Sequence, residues 1–419
     1  MQFYLASFCR LGAAVAFIIL PSLEGGDWPQ WRGPGRDGKS SETGLLASWP
    51  ASGPRLVWKA EGLGAGYATV AVSNGRVFTA GETKDDSYIL AFSEADGQLL
   101  WKSQLGKAGA PGWGGFAGPR CTPTVDGDRL YSLGQYGELV CLESATGKEL
   151  WRRNLVKDFG GSVPEWGYSE SPLVDGERVI CTPGGKKGAV VALDRKTGQV
   201  VWRSEGFTDE AQYASLVPMV LEGKRFCVQL TMESVVGISL DDGTVLWRAA
   251  RRGAVAVVPT PVVSGNHVYV TSGYNIGCNL FRLSFSGGRF GVEEVYKNKT
   301  MANHHGGVIL VGDHVYGHSD TRGWVCQELL TGKEVWSERS KVGKGSILYA
   351  DGHLYLREED KGKSQVVLVE ATPSGYREKG RFEQPFHSGK EAWPHPVIAN
   401  GKLYLRDQDI LLCYDVKAQ

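Results

Sequence analysis

The sequence predicts an all-β fold, a single eight-bladed β-propeller of four-stranded antiparallel blades. A phrase made of a Gly turn, a basic residue and two apolar residues recurs eight times, its glycines 40 to 52 residues apart. A second phrase, an apolar strand and a Gly turn leading to a strand with Trp, lies between most of the copies. The chain also has 57 Gly but only 4 Met, a turn-rich composition that disfavours a helical bundle.

The first 26 residues are interpreted as a signal peptide. Arg10 precedes the apolar run 11–20, and residues 21–26 are small or helix-breaking. We expect cleavage near residues 25–27, with retention as an uncleaved anchor as the alternative. The mature protein, which begins with a leader segment at 27–53 and has no further apolar run that could span a membrane, is expected in the periplasm or outside the cell.

The propeller is expected at 54–419, with each blade built from two hairpins. The first begins like Asn74-Gly75-Arg76, a turn suited to the positive φ angles of a tight hairpin. The second ends in a strand with Trp, and a Trp position that recurs around a ring predicts packing rather than one site. The Trp residues of that position are Trp58, Trp101, Trp151, Trp202, Trp247 and Trp336.

The eighth repeat lacks its Trp strand at the C-terminus, whereas the strand at 55–59 precedes the first repeat and has no partner of its own. We infer that this N-terminal strand completes the last blade and closes the ring, which removes open sheet edges. The expected blades are 66–105, 118–155, 167–205, 213–251, 255–297, 305–339, 344–383, and 392–416 with 54–60.

Turns of the kind seen at Thr146-Gly147-Lys148, repeated around a ring of eight, resemble the pyrroloquinoline-quinone (PQQ)-like β-propeller repeat family over essentially the whole mature chain. The leader 27–38, followed by 44–46 and Trp49-Pro50, also resembles the leader of exported members. The family includes quinoprotein alcohol dehydrogenases and the cofactor-free, protein-binding propeller subunit of the outer-membrane protein assembly machine. A shared fold does not choose between these functions.

For a quinone enzyme, the resemblance implies an adjacent Cys-Cys pair in many members, a calcium site of Glu, Asn and Asp, and an Asp base. The sequence has no Cys-Cys pair and no recognisable Asp-rich ligand loop, although calcium needs several converging oxygen ligands. We therefore expect no cofactor. PQQ with calcium, in a small dehydrogenase acting on an alcohol or sugar, is the alternative.

All eight histidines follow residue 266, which raises the question of a metal site. His267, His314 and His353 occupy a repeat position that is basic in other blades, so they are expected to be ordinary strand residues. The weak metal candidates, with a metal-dependent hydrolase as a third possible function, are His304, His305, His318 and Asp320. Loop polarity without a metal is the favoured interpretation.

Aromatic and charged residues lie in the segments that lead into several innermost strands. In a propeller these segments surround the central channel. Such residues in a concave mouth suit a sugar, a peptide or a planar cofactor, and packing between blades is the alternative for each of them. The candidate ligand-binding residues are Tyr67, Trp113, Arg120, Trp166, Tyr168, Glu170, Tyr213, His304, His305, Lys344, Trp393 and His395.

Lys and Arg number 46, as do Asp and Glu, so the whole chain has no basic field for nucleic acid. No nucleophile elbow, phosphate loop or nucleotide motif is present in the sequence. The sequence thus predicts an exported monomer that acts as a ligand-binding or scaffolding module without catalysis, with a protein, peptide or carbohydrate as its partner.

Overall fold

The computed structural model describes residues 26–112, 115–361 and 364–418. Thirty-two strands form eight separate sheets in this part of the chain, each with four antiparallel strands. The sequence-predicted fold is confirmed.

The first four blades each use four consecutive strands, from the channel outwards. Blade 1 contains β2 (Ala71–Ser73), β3 (Arg76–Glu82), β4 (Asp86–Ser93) and β5 (Leu99–Lys107). Blade 2 contains β6 (Thr124–Asp126), β7 (Arg129–Leu133), β8 (Glu138–Glu143) and β9 (Glu149–Asn154). Blade 3 contains β10 (Leu173–Asp175), β11 (Arg178–Cys181), β12 (Val191–Asp194) and β13 (Val200–Arg203). Blade 4 contains β14 (Val217–Leu221), β15 (Lys224–Leu230), β16 (Ser234–Ser239) and β17 (Val245–Ala250).

Blades 5 to 7 continue the pattern, and blade 8 takes its outer strand from the N-terminal part of the chain. Blade 5 contains β18 (Val262–Ser264), β19 (His267–Ser272), β20 (Gly277–Ser286) and β21 (Arg289–Asn298). Blade 6 contains β22 (Val308–Val311), β23 (His314–Ser319), β24 (Gly323–Glu328) and β25 (Glu334–Glu338). Blade 7 contains β26 (Gly345–Ala350), β27 (His353–Glu358), β28 (Gln365–Glu370) and β29 (Glu378–Glu383). Blade 8 contains β30 (Val397–Ala399), β31 (Lys402–Asp407), β32 (Ile410–Asp415) and β1 (Arg55–Ala60).

The inner hairpins follow the predicted turn chemistry. In blade 1, Asn74 and Gly75 between β2 and β3 both have positive φ angles, of 51° and 70°. Two successive positive φ angles give the turn whose twist matches that of the flanking strands, and Asn and Gly tolerate them best. The hairpin therefore fixes the register in which Ala71 pairs with Phe78.

The recurring Trp residues join each blade to the next. The indole Nε1 of Trp151 donates to the carbonyl oxygen of Arg195 at 3.0 Å, and that of Trp202 donates to Leu240 at 3.1 Å. The indole ring of Trp151 also packs against Gly198 in the hairpin of the next blade, because a Cβ atom added at Gly198 would lie 2.8 Å from that indole ring. Trp58, Trp101 and Trp336 make the corresponding indole hydrogen bonds. Packing between blades, as the repeat predicted, is their role.

The ring closes as expected from the unpaired N-terminal strand. β1 pairs antiparallel with β32, with Arg55 opposite Asp415 and Ala60 opposite Leu411. Arg55 Nη2 also lies 2.7 Å from Asp415 Oδ2. Every blade consequently has four strands, although the chain reaches the last one from opposite ends.

The leader folds onto the ring without forming a strand of its own in the described residues 27–53. Trp28 forms a backbone bridge with Val72 of blade 1, and Lys39 forms one with Tyr349 of blade 7. Further hydrogen bonds from the leader reach blades 2, 3, 5, 6 and 8. A segment that contacts seven of the eight inner strand regions must run across the central channel.

The described part of the chain contains strands and turns, and none of it forms a helix of the length and apolar character that a bilayer crossing requires. The blades are packed together by seven clusters of buried apolar side chains, the largest of which joins the leader to blades 1, 7 and 8. All seven cysteines of the described chain are buried and unpaired.

Candidate functional site

One cavity of about 250 Å³ lies at the centre of the ring. Its lining residues come from the leader and from blades 1 to 6 and blade 8, where all but Tyr274 lie in the segments that enter the innermost strands. A cavity bordered by so many blades is the mouth of the central channel, and we call it the channel mouth. It is lined by Trp31, Tyr67, Phe116, Arg120, Trp166, Ser169, Tyr213, Ser215, Ala256, Val258, Tyr274, His304, His305, Trp393, Pro394 and His395.

The leader supplies the floor of the channel mouth. Trp31 lines the cavity, and its Nε1 donates to Thr260 Oγ1 at 2.9 Å. The Trp31 ring packs on the His395 ring with a centroid distance of 4.7 Å. Sequence reasoning did not place Trp31 at the site, because the leader lies outside the repeat. The three Trp and two Arg residues of the leader, among turn residues, were the available signal.

Two buried arginines fix the leader in the channel. Arg32, 3% exposed, donates from Nη2 to the carbonyl oxygens of Val308 at 2.6 Å and Asp37 at 2.8 Å. Arg36, 1% exposed, donates to the carbonyl oxygen of Ser171 at 2.8 Å. Burial lowers the pKa of each to about 10, which still leaves both guanidinium groups charged at neutral pH. The channel wall therefore holds the leader by charge-assisted hydrogen bonds.

The wall beside blades 1, 2 and 8 is a cluster of rings centred on Trp393. Tyr67 lies 4.5 Å from Trp393 between centroids, Phe116 lies 4.9 Å away and His305 lies 5.2 Å away. A second aromatic pair, Trp166 and Tyr213 at 5.8 Å, stands on the side of blades 3 and 4. These rings offer flat apolar faces for a planar ligand.

Arg120 is the cation among the residues that line the channel mouth. Its Nη1 donates to Gly118 O at 2.9 Å and its Nη2 to Phe116 O at 2.6 Å. The guanidinium also lies 5.2 Å from the centre of the Tyr67 ring. Burial lowers the pKa of Arg120, and the charge remains because a guanidinium is protonated throughout the physiological range.

A polar network borders the mouth at blades 5, 6 and 7. Lys344 Nζ lies 2.6 Å from His304 Nδ1, and Tyr274 Oη lies 2.8 Å from His304 Nε2. An ammonium group only donates, so we assign Nδ1 as the acceptor and the ring proton to Nε2, which donates to Tyr274. The Tyr274 hydroxyl hydrogen is then free to point into the cavity.

Burial sets the charge state of the neighbouring histidines. It lowers the pKa of His304 to about 4, reinforced by the positive charges of His305 and Lys344. Burial likewise lowers the pKa of His318 to about 4 and that of His395 to about 3. These imidazoles are neutral at pH 7, which suits His304 as an acceptor from Lys344.

Eight of the twelve sequence-predicted residues line the channel mouth, and their function in binding stays a prediction. Tyr168 and Glu170, however, are 1% and 2% exposed and lie inside the wall. Successive side chains of an extended segment point to opposite sides, so Ser169 between them faces the cavity instead. Their predicted place at the cavity surface is therefore corrected. Tyr168 donates to Pro183 O at 2.8 Å, and Glu170 accepts from Thr182 N.

Lys344 does not line the cavity but stands behind His304, and Trp113 lies outside the described residues. Sequence reasoning missed Tyr274, which belongs to the hairpin between β19 and β20, and also Glu359. Glu359 Oε2 lies 2.9 Å from His305 Nε2. Burial acts to raise the pKa of Glu359, but the contact with His305 and the charge of Lys344 outweigh it, so the pKa is lowered overall.

The donor set does not fit a metal ion or a calcium-bound quinone. The carboxylates of Asp320 and Glu359 lie 3.4 Å and 3.8 Å from Lys344 Nζ, so an ammonium group takes the place where a cation would neutralise them. His318 packs edge-on against Trp324, with centroids 5.5 Å apart. Within the described ranges, no group of three His, Cys, Asp or Glu side chains is arranged to hold a metal. The metal site suggested for His304, His305, His318 and Asp320 finds no geometric support there.

The fold and the site define a class of protein, the eight-bladed β-propellers with a cavity at the central channel. Residues 85–338 match the family model described as outer membrane protein assembly factor BamB, a model of PQQ-like repeats. The chain belongs to this family.

Among individual relatives, an outer membrane protein assembly factor BamB from Kangiella koreensis is 29% identical over 194 residues, 44% of this chain and 43% of the relative. The match spans about half the length of the first relatives, 43% and 57%. BamB from Moraxella catarrhalis aligns over 84% of this chain and 95% of its own, with a TM-score of 0.56 and 16% identity. A quinohemoprotein alcohol dehydrogenase from Comamonas testosteroni aligns over 94% and 80%, with a TM-score of 0.65 and 12% identity. At these identities the structures show a shared fold, for BamB and for an alcohol dehydrogenase alike.

Proposed function

We propose that this protein is an exported propeller that binds a ligand in its channel mouth and performs no catalysis of its own. The observation that carries the proposal is the construction of the mouth, which residues of seven blades surround and the leader closes with Trp31. Concave, mostly apolar cavities with a few fixed polar groups are the usual form of a ligand site. A leader held by two buried arginines indicates that the cavity is a built feature of the fold.

The polar side chains at the channel mouth support the absence of catalysis. Lys344 lies between the carboxylates of Asp320 and Glu359, and both ring nitrogens of His304 are occupied by Lys344 and Tyr274. Within this described network His304 therefore has no free ring nitrogen that could act as a general base, and His305 Nε2 is paired with Glu359. A small quinone dehydrogenase is the competing function, and its calcium would have to displace an ammonium group.

Protein binding at the outer rim is a second candidate function, favoured by one observation. The fourth strands of blades 1 to 3 carry aliphatic side chains that are 40% to 52% exposed: Leu99, Leu100, Leu150, Val200 and Val201. Exposed aliphatic side chains recur at the same strand position in three successive blades, and exposed apolar surface is a feature of protein contact sites. The family's assembly factors, by their name, act in the assembly of outer membrane proteins, and a scaffold of that type would use such a rim.

Site-specific photo-crosslinking tests these proposals in the organism that produces the protein. A photoreactive phenylalanine analogue replaces Trp166 in the mouth, Leu100 on the rim, or Lys196 in an exposed hairpin as the control. We expect an adduct at position 166 that is missing at position 196. An adduct at position 100 alone would favour the rim and refute the mouth as the binding site. Equal labelling at all three positions, or none at all, would contradict both.

A dye-reduction assay tests the absence of catalysis separately. The purified full chain is incubated with PQQ and Ca²⁺ and offered primary alcohols and aldoses. We expect no dye reduction and no shift of the melting temperature, because a ligand bound only to the folded state raises that temperature. Saturable turnover would overturn the non-catalytic assignment. Mass spectrometry of the mature N-terminus tests export, with cleavage expected near residues 25–27.

A further inference from the structure

The described lining of the channel mouth carries a cation and no carboxylate. Of the described residues that line it, none is Asp, Glu, Asn or Gln. Its polar groups are the Arg120 guanidinium, serine and tyrosine hydroxyls, and imidazoles. The hydroxyls and neutral imidazoles can both donate and accept hydrogen bonds, so the guanidinium charge is what sets the preference of this lining. The lining therefore favours a ligand that accepts hydrogen bonds and carries negative charge.

Arg120 is placed to receive that charge. Its contacts within the protein go to two carbonyl oxygens and the face of Tyr67 rather than to a carboxylate. A guanidinium has five N–H donors, and these two hydrogen bonds use two of them. The positive charge of Arg120 is thus available to one carboxylate of a ligand, in a partly buried setting where a charge-assisted hydrogen bond is strong.

The rings and the volume define the rest of the ligand. Trp393, with Tyr67 and Phe116 tilted against it by 31° and 47°, offers an aromatic wall beside Arg120. Trp31 with His395 closes the floor. A volume of about 250 Å³ lies below the usual range of sites for drug-sized ligands, so it suits one or two fused rings. Across the mouth, the Tyr274 hydroxyl, oriented by His304, donates to a second oxygen on the ligand.

We propose that the channel mouth binds a small aromatic monocarboxylate, with its ring against Trp393 and its carboxylate on Arg120. This assignment rests on the proposed function of the mouth as a binding site. A single available guanidinium matches a single carboxylate, since Lys344 is already shared by Asp320 and Glu359, and Arg32 is held below the floor by the carbonyl oxygens of Asp37 and Val308. A larger polyanion would bury carboxylates without partners.

Calorimetric titration of the full mature chain with 4-hydroxycinnamate tests the proposal, with tryptophan fluorescence as a second readout. The neutral 4-hydroxycinnamamide keeps the ring and removes the charge, whereas glucuronate keeps the carboxylate and removes the aromatic ring. We expect saturable binding of 4-hydroxycinnamate, at least about 10-fold tighter than that of either analogue. A factor of ten corresponds to about 1.4 kcal/mol, near the lower end for a charged hydrogen bond.

Arg120→Gln should weaken binding of the acid about 10-fold or more and leave binding of the amide unchanged. Arg203→Gln is the matched control, because Arg203 also donates to two carbonyl oxygens and lies 5.6 Å from the Phe159 ring, but away from the mouth. We expect Arg203→Gln to bind the acid within about 2-fold of the unaltered protein. Arg120→Lys keeps a charge and should recover part of the affinity even if the Gln variant is unstable.

Several results would overturn the proposal. Equal affinity for the acid and the amide would show that the carboxylate charge does not contribute to binding. Tighter binding of glucuronate would identify an acidic sugar as the ligand class instead. Tighter binding of PQQ would assign a polyanion, and no binding of 4-hydroxycinnamate would refute the aromatic acid. Crosslinking at position 166 separates this failure from that of the proposed function. An adduct without acid binding refutes only the ligand class, and the absence of both refutes the mouth as a site.

Discussion

Replacing Glu170 with Gln should remove a loss of folding stability that the protein otherwise undergoes as the pH rises, because Glu170 is a buried carboxyl group in the wall of the channel. Glu170 is 2% exposed, Thr182 N donates to its Oε1, and its Oε2 has no hydrogen-bond partner. Burial raises the pKa of Glu170 to about 7, although the hydrogen bonds of Thr182 and the charge of Arg36 act in the opposite direction. The carboxyl group is therefore neutral in the folded protein at pH 5 and mostly ionised at pH 8.

The size of the effect follows from the two pKa values. The folded-state value of about 7 lies above the usual 4.5, so the folded state holds its proton to higher pH than the unfolded state. The stability that this provides is complete below pH 4.5 and is lost as the pH rises through 7. At about 1.4 kcal/mol for each pKa unit, the loss between pH 5 and pH 8 is about 2 to 3 kcal/mol.

Urea unfolding at pH 5 and pH 8 measures this loss in the unaltered protein and in Glu170→Gln. The free-energy difference between the two proteins should shift by about 2 to 3 kcal/mol in favour of the variant at pH 8. Subtraction cancels every group that both proteins share, as well as any constant cost of the amide. Glu177→Gln is the control, since the Glu177 side chain is 61% exposed and its removal should give little pH-dependent difference. A shift below about 0.5 kcal/mol, comparable with the extrapolation error, would refute the assignment of a buried titrating carboxyl.

Three further predictions concern the blades, the channel and the floor. Trp202→Phe should cost about 1 kcal/mol more than Trp247→Phe in urea unfolding, because Trp202 donates to Leu240 O whereas the buried Nε1 of Trp247 has no partner; equal costs would contradict this. Burial lowers the pKa of His395 to about 3, so the folded protein keeps this imidazole unprotonated while the unfolded chain protonates it. The free energy of unfolding should therefore fall by about 3 kcal/mol from pH 6.5 to pH 4. His395→Gln should flatten that part of the dependence of the unfolding free energy on pH. Trp31→Ala should abolish saturable binding of 4-hydroxycinnamate while circular dichroism retains the β spectrum, and unchanged affinity would show that the floor takes no part.

Most of the fold could be predicted from the sequence repeat. Each blade is formed by neighbouring hairpins, so local turn signals such as Asn74-Gly75 were enough to count the blades and place their strands. The Trp position was equally informative, because a residue that recurs at every blade has the same neighbours at every blade. Ring closure by β1 followed from counting, since one strand was missing at one end and one was spare at the other.

The site was less accessible to such reasoning. Trp31 reaches Thr260 over 229 residues of sequence, and no periodic pattern links the two. Tyr168 and Glu170 were expected at the surface of the cavity, although alternation along an extended segment allows only one side to face it, and Ser169 holds that side. Composition identifies the segments that approach a channel, but the direction of each side chain depends on a register that single residues do not reveal.

Closure of the ring has a consequence for how the chain reaches its native state. Arg55 and Asp415 pair across 360 residues, so the strand synthesised first waits for the strand synthesised last. Contacts of such sequence separation form slowly, because loop entropy is lost before the pairing stabilises anything. Until then β1 and the leader, with Trp28 and Trp49 that are buried in the final fold, stay uncovered. Assembly of the last blade is thus the step at which a chaperone or a truncation would have its largest effect on yield.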